Sequence, residues 1–167
     1  MKATIKSWLK RGRQRRQDRQ VSQAELENVR RFLERFRAHY IGVDLIRVGG
    51  DGDGGYLLPD CLADLRYCFS PGVAYQADFE KELSDKYGIR SFMADASVDE
   101  PPIADENFHF IQKFLGAHTD GAFITLGDWV AQSIEVNDGG RLLQMDIEGG
   151  EYDVLTFESA EFLSQFS

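Results

Sequence analysis

The sequence lacks the residues that define several classes of protein. Its 167 residues include only two cysteines, Cys61 and Cys68. Two cysteines are too few for a disulfide scaffold, and no further Cys and His residues accompany them at the spacing of a structural zinc site. No apolar run approaches the ~20 residues that a membrane-spanning helix needs. These absences predict a cytoplasmic protein without an integral membrane span.

The composition is that of a folded globular domain. Hydrophobic residues make up 43% of the chain, and twelve of them are phenylalanine. A chain of this length corresponds to about one domain and can bury a substantial core. Collagen-like, low-complexity and wholly disordered proteins are therefore excluded.

Charge is divided unevenly along the chain. Residues 1–20 hold eight of the nineteen Lys and Arg residues and one of the 28 Asp and Glu residues, so the other 147 residues carry a formal net charge of −16. An acidic body argues against nucleic acid as a partner, because a polyanion needs a basic groove. The basic segment itself is typical of a solvated tail or of a weak peripheral contact with an anionic membrane surface.

A helix is predicted directly after the basic tail. Ser22 and Glu25 form a capping box, a pair of side chains that satisfies backbone amides at a helix start. Apolar residues then recur on one helical stripe as far as Tyr40. The sequence thus divides into a tail (1–20), an N-terminal amphipathic helix (21–41) and a larger domain (42–167).

A glycine-rich segment, residues 49–55, follows a predicted strand and permits several interpretations. Its GxGxxG spacing does not lead into a helix, which argues against a dinucleotide-binding loop. As a calcium loop it carries Tyr56 and Leu62 at positions that require Gly and Glu. Asp51 and Asp53 form a DxD pair that could hold a divalent metal, so a metal-dependent nucleotide-sugar transferase is one alternative function. The other interpretation is a plain hairpin turn.

Strand and helix patterns alternate from residue 65 onward. Strand-like runs occupy 65–70, 89–94, 108–111 and 141–147, with helical patterns or turn residues between them. This alternation predicts an α/β fold with a Rossmann-like, mostly parallel sheet and flanking helices. The pattern stops after the fourth core strand. We therefore expect an incomplete fold, either continued by residues beyond Ser167 or paired as a homodimer along an exposed sheet edge.

The carboxyl ends of parallel strands meet at one edge of a sheet, where α/β proteins bind ligands. Three segments follow the predicted strands at that edge. They are residues 70–74, Asp95 and residues 146–151. The small residues in the first segment permit close approach of a ligand, and Asp95 has the spacing of an acid that binds ribose hydroxyls. The candidate cofactor-binding residues are Ser70, Gly72, Val73, Ala74 and Asp95.

The character of the first segment also restricts the cofactor. It contains no Lys or Arg, and no GK[ST] motif follows it, so a nucleoside triphosphate is a poor candidate. A nucleoside that carries a cation instead of phosphates suits an acidic domain better. S-adenosylmethionine has that character.

Several segments together resemble the FkbM-type S-adenosylmethionine-dependent methyltransferases. The resemblance covers roughly residues 44–160 and is most specific in the Asp-Ile-Glu-Gly-x-Glu run that begins at Asp146. The other segments that carry it are 47–56, 68–73, 92–97 and 125–130. The resemblance implies a Rossmann-like fold, S-adenosylmethionine bound after the first core strand, and methyl transfer to a hydroxyl of a small molecule or glycan.

Acidic residues after the fourth strand are the candidates for catalysis, because a hydroxyl acceptor benefits from a base. Asp146 is the first candidate to orient or deprotonate the acceptor, and Glu148 is the second. Glu151 lies in the first turn of the next predicted helix, where an acid also complements the helix dipole. A non-catalytic interaction module, held to a membrane or partner by the basic tail, is the remaining alternative.

Overall fold

The computed structural model describes residues 23–35, 42–134 and 139–166. The chain divides into two compact units, Met1–Gly42 and Val43–Ser167. The described part of the first unit is one helix, α1 (Gln23–Arg35). The basic tail, Ser22 of the predicted capping box and residues 36–41 lie outside the described residues. No described helix combines the length and the apolar character that crossing a bilayer requires.

The second unit begins with an antiparallel hairpin. Its strands are β1 (Leu45–Gly49) and β2 (Gly55–Pro59). Gly49 at the end of β1 pairs with Gly55 at the start of β2, next to the turn. The Arg47 side chain donates hydrogen bonds of 2.9 Å to the carbonyls of Gly50 and Gly52, which holds the turn in shape. The hairpin interpretation of the glycine-rich segment is therefore confirmed.

Four parallel strands form the main sheet of this unit, in the order β5 (Phe108–Ile111), β4 (Arg90–Ala94), β3 (Leu65–Pro71) and β8 (Gly140–Leu143). From β3 the chain adds β4 and then β5 on one side and later places β8 on the other side, and such a reversal of strand order is typical of doubly wound sheets. The α/β fold with a parallel sheet is thus confirmed. After the hairpin, the elements are β3 (Leu65–Pro71), α2 (Asp78–Tyr87), β4 (Arg90–Ala94), β5 (Phe108–Ile111), β6 (Phe114–Leu115), β7 (Phe123–Ile124), α3 (Leu126–Ser133), β8 (Gly140–Leu143), α4 (Glu151–Phe157) and α5 (Ala160–Leu163).

The sheet is buried on both faces, because alternate side chains of a strand point to opposite sides. On one face, Cys68 packs in a cluster with residues of α2 and of the hairpin. On the other face, Phe69 packs in a cluster with residues of α3 and α4. Trp129 is 1% exposed in this second cluster.

Strand β8 lies at one edge of the described sheet, and the chain's own C-terminal residues contact it. Phe166 forms a parallel bridge with Arg141, and the Arg141 guanidinium donates a 2.7 Å hydrogen bond to Gln165 Oε1. At this point the edge is covered, whereas the sequence predicts it to be unprotected. Pairing with a second copy of the chain stays a prediction.

We expect Phe69→Ala to lower the free energy of unfolding by about 3–5 kcal/mol, because it leaves a cavity between tightly packed rings. Phe69 is fully buried, with ring centroids of Phe92 at 5.0 Å and Trp129 at 5.1 Å. Urea unfolding followed by circular dichroism measures the loss. Leu57→Ala is the control, since Leu57 is 62% exposed and its loss costs about 0.5 kcal/mol or less. Equal losses in the two variants would contradict this account of the core.

Candidate functional site

A cavity of about 600 Å³ opens at the carboxyl ends of β3, β4 and β8. Its volume lies in the range of small-molecule sites, ~300–1,000 Å³. The cavity sits where the strand order reverses, between β3 and β8, which is the point where doubly wound sheets bind ligands. The five candidate cofactor-binding residues and the two main candidate catalytic residues from the sequence all line it. They are Ser70, Gly72, Val73, Ala74, Asp95, Asp146 and Glu148.

Gly72 brings the loop after β3 against the loop after β8. It has a φ of +86°, and a Cβ built on it would lie 2.2 Å from the carbonyl oxygen of Asp146. Close approach of a ligand to this small residue stays a prediction. The structure adds a second reason for glycine here, because the space that a Cβ would need holds the backbone of Asp146.

Asp95 ties the loop after β3 to the loop after β4. Its Oδ2 accepts a 2.9 Å bond from the Ala74 amide, and its Oδ1 accepts bonds of 2.7 and 2.6 Å from the amide and hydroxyl of Ser97. The side chain is nearly buried, at 4% exposure of the residue. A carboxylate offers about four acceptor sites, so the three protein donors leave room for about one more. Its predicted contact with ribose stays a prediction.

Asp146 is held by a residue that sequence reasoning missed. The Tyr56 hydroxyl, on β2, donates a 3.1 Å hydrogen bond to Asp146 Oδ2 across 90 residues of sequence. Burial, together with the Asp146 carboxylate, raises the pKa of Tyr56 to about 12. The phenol therefore stays neutral and remains a donor at physiological pH. Only the packing of the hairpin beside the sheet creates this pair, and no local pattern signals it.

Backbone strain is concentrated at the cavity. Among the described residues, the two non-glycine residues with positive φ are Ala74 (+41°) and Glu148 (+56°), and both line the cavity. Such conformations cost of order 1–3 kcal/mol each and cluster at functional sites. Both residues thus hold strained positions in the two loops that Gly72 brings together.

Glu151 has a structural contact beside the cavity. Its Oε1 accepts a 2.8 Å bond from the Ile147 amide, and this bond lowers the pKa of Glu151. The residue opens α4 and is absent from the cavity lining. It therefore fixes the turn that carries Asp146 and Glu148.

The floor of the cavity contains a second feature that sequence reasoning missed. The Ser70 hydroxyl is hydrogen-bonded to Glu80 Oε1 and lies 2.8 Å from Gln144 Oε1. Ser70 is fully buried and Glu80 is 3% exposed. Burial raises the pKa of Glu80. In the sequence, Glu80 stands among charged residues of a helical pattern and cannot be told from a surface residue.

The charge of the lining is of one sign. None of the described residues that line the cavity is Lys, Arg or His. Acidic walls of this kind attract a cation and repel phosphate groups. The five acidic lining residues are Asp53, Glu80, Asp95, Asp146 and Glu148.

The two aspartates of the DxD pair differ in their position relative to the cavity. Asp53 lines the cavity, but Asp51 does not. In the part of the chain that the structure describes, no three His, Cys, Asp or Glu residues come together in a way that could hold a metal ion. The alternative of a metal-dependent sugar transferase therefore gains no support from the described residues.

We expect Gly72→Ala to destabilise the protein more than Gly149→Ala does, by about 1–3 kcal/mol. Both glycines have a left-handed φ, which costs an alanine about 1–2 kcal/mol at either position. Only the Cβ at position 72 meets another atom, since Gly149 has open space around it. Thermal and urea unfolding of the two variants measure the difference. Equal destabilisation would show that the two loops are not in close contact.

We also expect the pH dependence of stability to differ between Glu80→Gln and the unsubstituted chain. As pH rises from about 4 to 7, the difference in free energy of unfolding should shift in favour of the variant. Because burial holds the folded-state pKa of Glu80 above its unfolded value, the folded chain binds more protons in that range and loses stability as pH rises. Glutamine does not titrate and escapes this loss. Urea unfolding across the pH series tests the sign, and Glu106→Gln controls for removing one exposed negative charge. A difference that is constant with pH would contradict the prediction.

Comparison with protein-family models, with curated proteins and with solved structures finds no significant match to this chain.

Proposed function

We propose that this chain is an S-adenosylmethionine-dependent methyltransferase of the FkbM type that methylates a hydroxyl of a small molecule or glycan. The observation that carries the proposal is the cavity at the reversal of strand order, lined by five carboxylates and no described basic side chain. A ligand for this position is expected to be a nucleoside, and a ligand for these charges is expected to be a cation. S-adenosylmethionine combines both properties and has no phosphate.

The residues of the cavity fit such a cofactor. Residues 72–74 would lie along it at the end of β3, and Asp95 has about one acceptor site left for a ribose hydroxyl. Phe114 and Phe123 line the cavity and are 40% and 45% exposed, so an adenine base could pack against one of these rings. Stacking of a base on an aromatic ring is worth about 1–3 kcal/mol.

The bound cofactor would supply an electrophilic methyl group on a positively charged sulfur. The contribution of the chain is then to align the acceptor oxygen and to receive its proton. Asp146 is suited to both tasks, because Tyr56 donates to its Oδ2 and the other carboxylate oxygen can accept the proton of the acceptor hydroxyl. Glu148 also lines the cavity and is the second candidate.

The proposal predicts binding of S-adenosylmethionine and S-adenosylhomocysteine with dissociation constants on the order of 1–100 μM, measurable by isothermal titration calorimetry. We expect Asp95→Asn to weaken binding by about tenfold or more, because it disturbs the contact to the Ala74 amide and the acceptor for ribose.

Asp60→Asn is the matched control, since Asp60 is exposed and does not line the cavity. Adenosine triphosphate should produce no heat, because its phosphates would face the carboxylates. Absence of heat with both sulfur nucleosides, in a preparation that unfolds cooperatively, would overturn the proposed function.

A further inference from the structure

The polar cluster formed by Ser70, Glu80 and Gln144 presents several oxygen acceptors at the cavity. The Ser70 hydroxyl carries one proton but is within hydrogen-bond distance of two oxygens, Glu80 Oε1 and Gln144 Oε1. It can donate to only one of them at a time. Oxygens of this cluster therefore keep capacity to accept hydrogen bonds from a ligand.

The carboxylate in this cluster also lacks a cation. Glu80 is almost completely buried, and no Lys, Arg or His of the described residues forms an ion pair with it. Buried carboxylates are normally paired with a positive charge or with several hydrogen-bond donors. Glu80 lines the cavity, so a ligand can reach it.

We infer that Ser70, Glu80 and Gln144 form the binding site for a primary ammonium group of the ligand. This inference rests on the proposed function, which it deepens by assigning one end of the ligand to one cluster. An ammonium group has one positive charge and three N–H donors. The cluster supplies one carboxylate and oxygen acceptors on three side chains. A sulfonium has no N–H donor and would leave those acceptors unsatisfied, so the sulfonium lies elsewhere in the cavity.

The test compares S-adenosylhomocysteine with its des-amino analogue, which lacks only the ammonium group. We expect the unsubstituted chain to prefer S-adenosylhomocysteine by about tenfold or more. In Glu80→Gln this preference should fall to about threefold or less, while binding of the des-amino analogue stays within about threefold of its original value. Titration calorimetry gives both affinities.

Asp85→Asn is the control, because Asp85 is an exposed carboxylate on the same helix outside the cavity. It should leave the preference unchanged. Gln144→Met provides a second variant that removes one acceptor without removing a charge, and it should also reduce the preference. If Glu80→Gln does not fold, this second variant decides the question.

The outcomes separate the two proposals. If the unsubstituted chain binds neither nucleoside, the proposed function fails and the inference fails with it. If S-adenosylhomocysteine binds but the variants keep the preference for the ammonium group, only the inference is overturned. Equal weakening of both ligands by Glu80→Gln would overturn it as well, since the effect would not be specific to the ammonium.

Discussion

The site depends on the approach of two backbone segments at Gly72. The loop after β3 passes so close to the carbonyl of Asp146 that no Cβ fits between them. This contact joins the two strands on either side of the reversal in strand order, β3 and β8. It therefore determines where the turn carrying Asp146 and Glu148 begins. A side chain at position 72 would move that turn and, with it, the hydrogen bond between Asp146 and Tyr56.

Around this contact the protein keeps features that oppose its own stability. Glu80 is buried without a described cation, and two non-glycine residues, Ala74 and Glu148, adopt left-handed backbone conformations. Each of these features costs free energy. They occur together on the lining of one cavity, whereas the packed faces of the sheet have ordinary apolar contacts. Local features that cost stability are expected where a protein binds a ligand.

The hairpin shows how tertiary packing gives a role to an ambiguous sequence. When its residues are considered alone, its glycine-rich turn is compatible with a DxD metal pair or with a simple hairpin turn. Arg47 closes the turn through the carbonyls of Gly50 and Gly52, and the Gly49 amide donates a 2.8 Å bond to Glu82 on α2. The hairpin thereby lies beside the sheet and places Tyr56 against Asp146.

Residue patterns along the chain were enough to predict the alternation of strands and helices, and with it the parallel sheet and the edge where Gly72, Asp95 and Asp146 meet. These follow from periodicity and from the geometry of parallel strands, which are local or general properties. The hydrogen-bond partners of those residues could not be predicted, because they come from the packing of distant segments. Tyr56 and Glu80 reach the cavity because of how the hairpin and α2 pack on the sheet, and side-chain contacts between distant segments leave no periodic signal in a sequence.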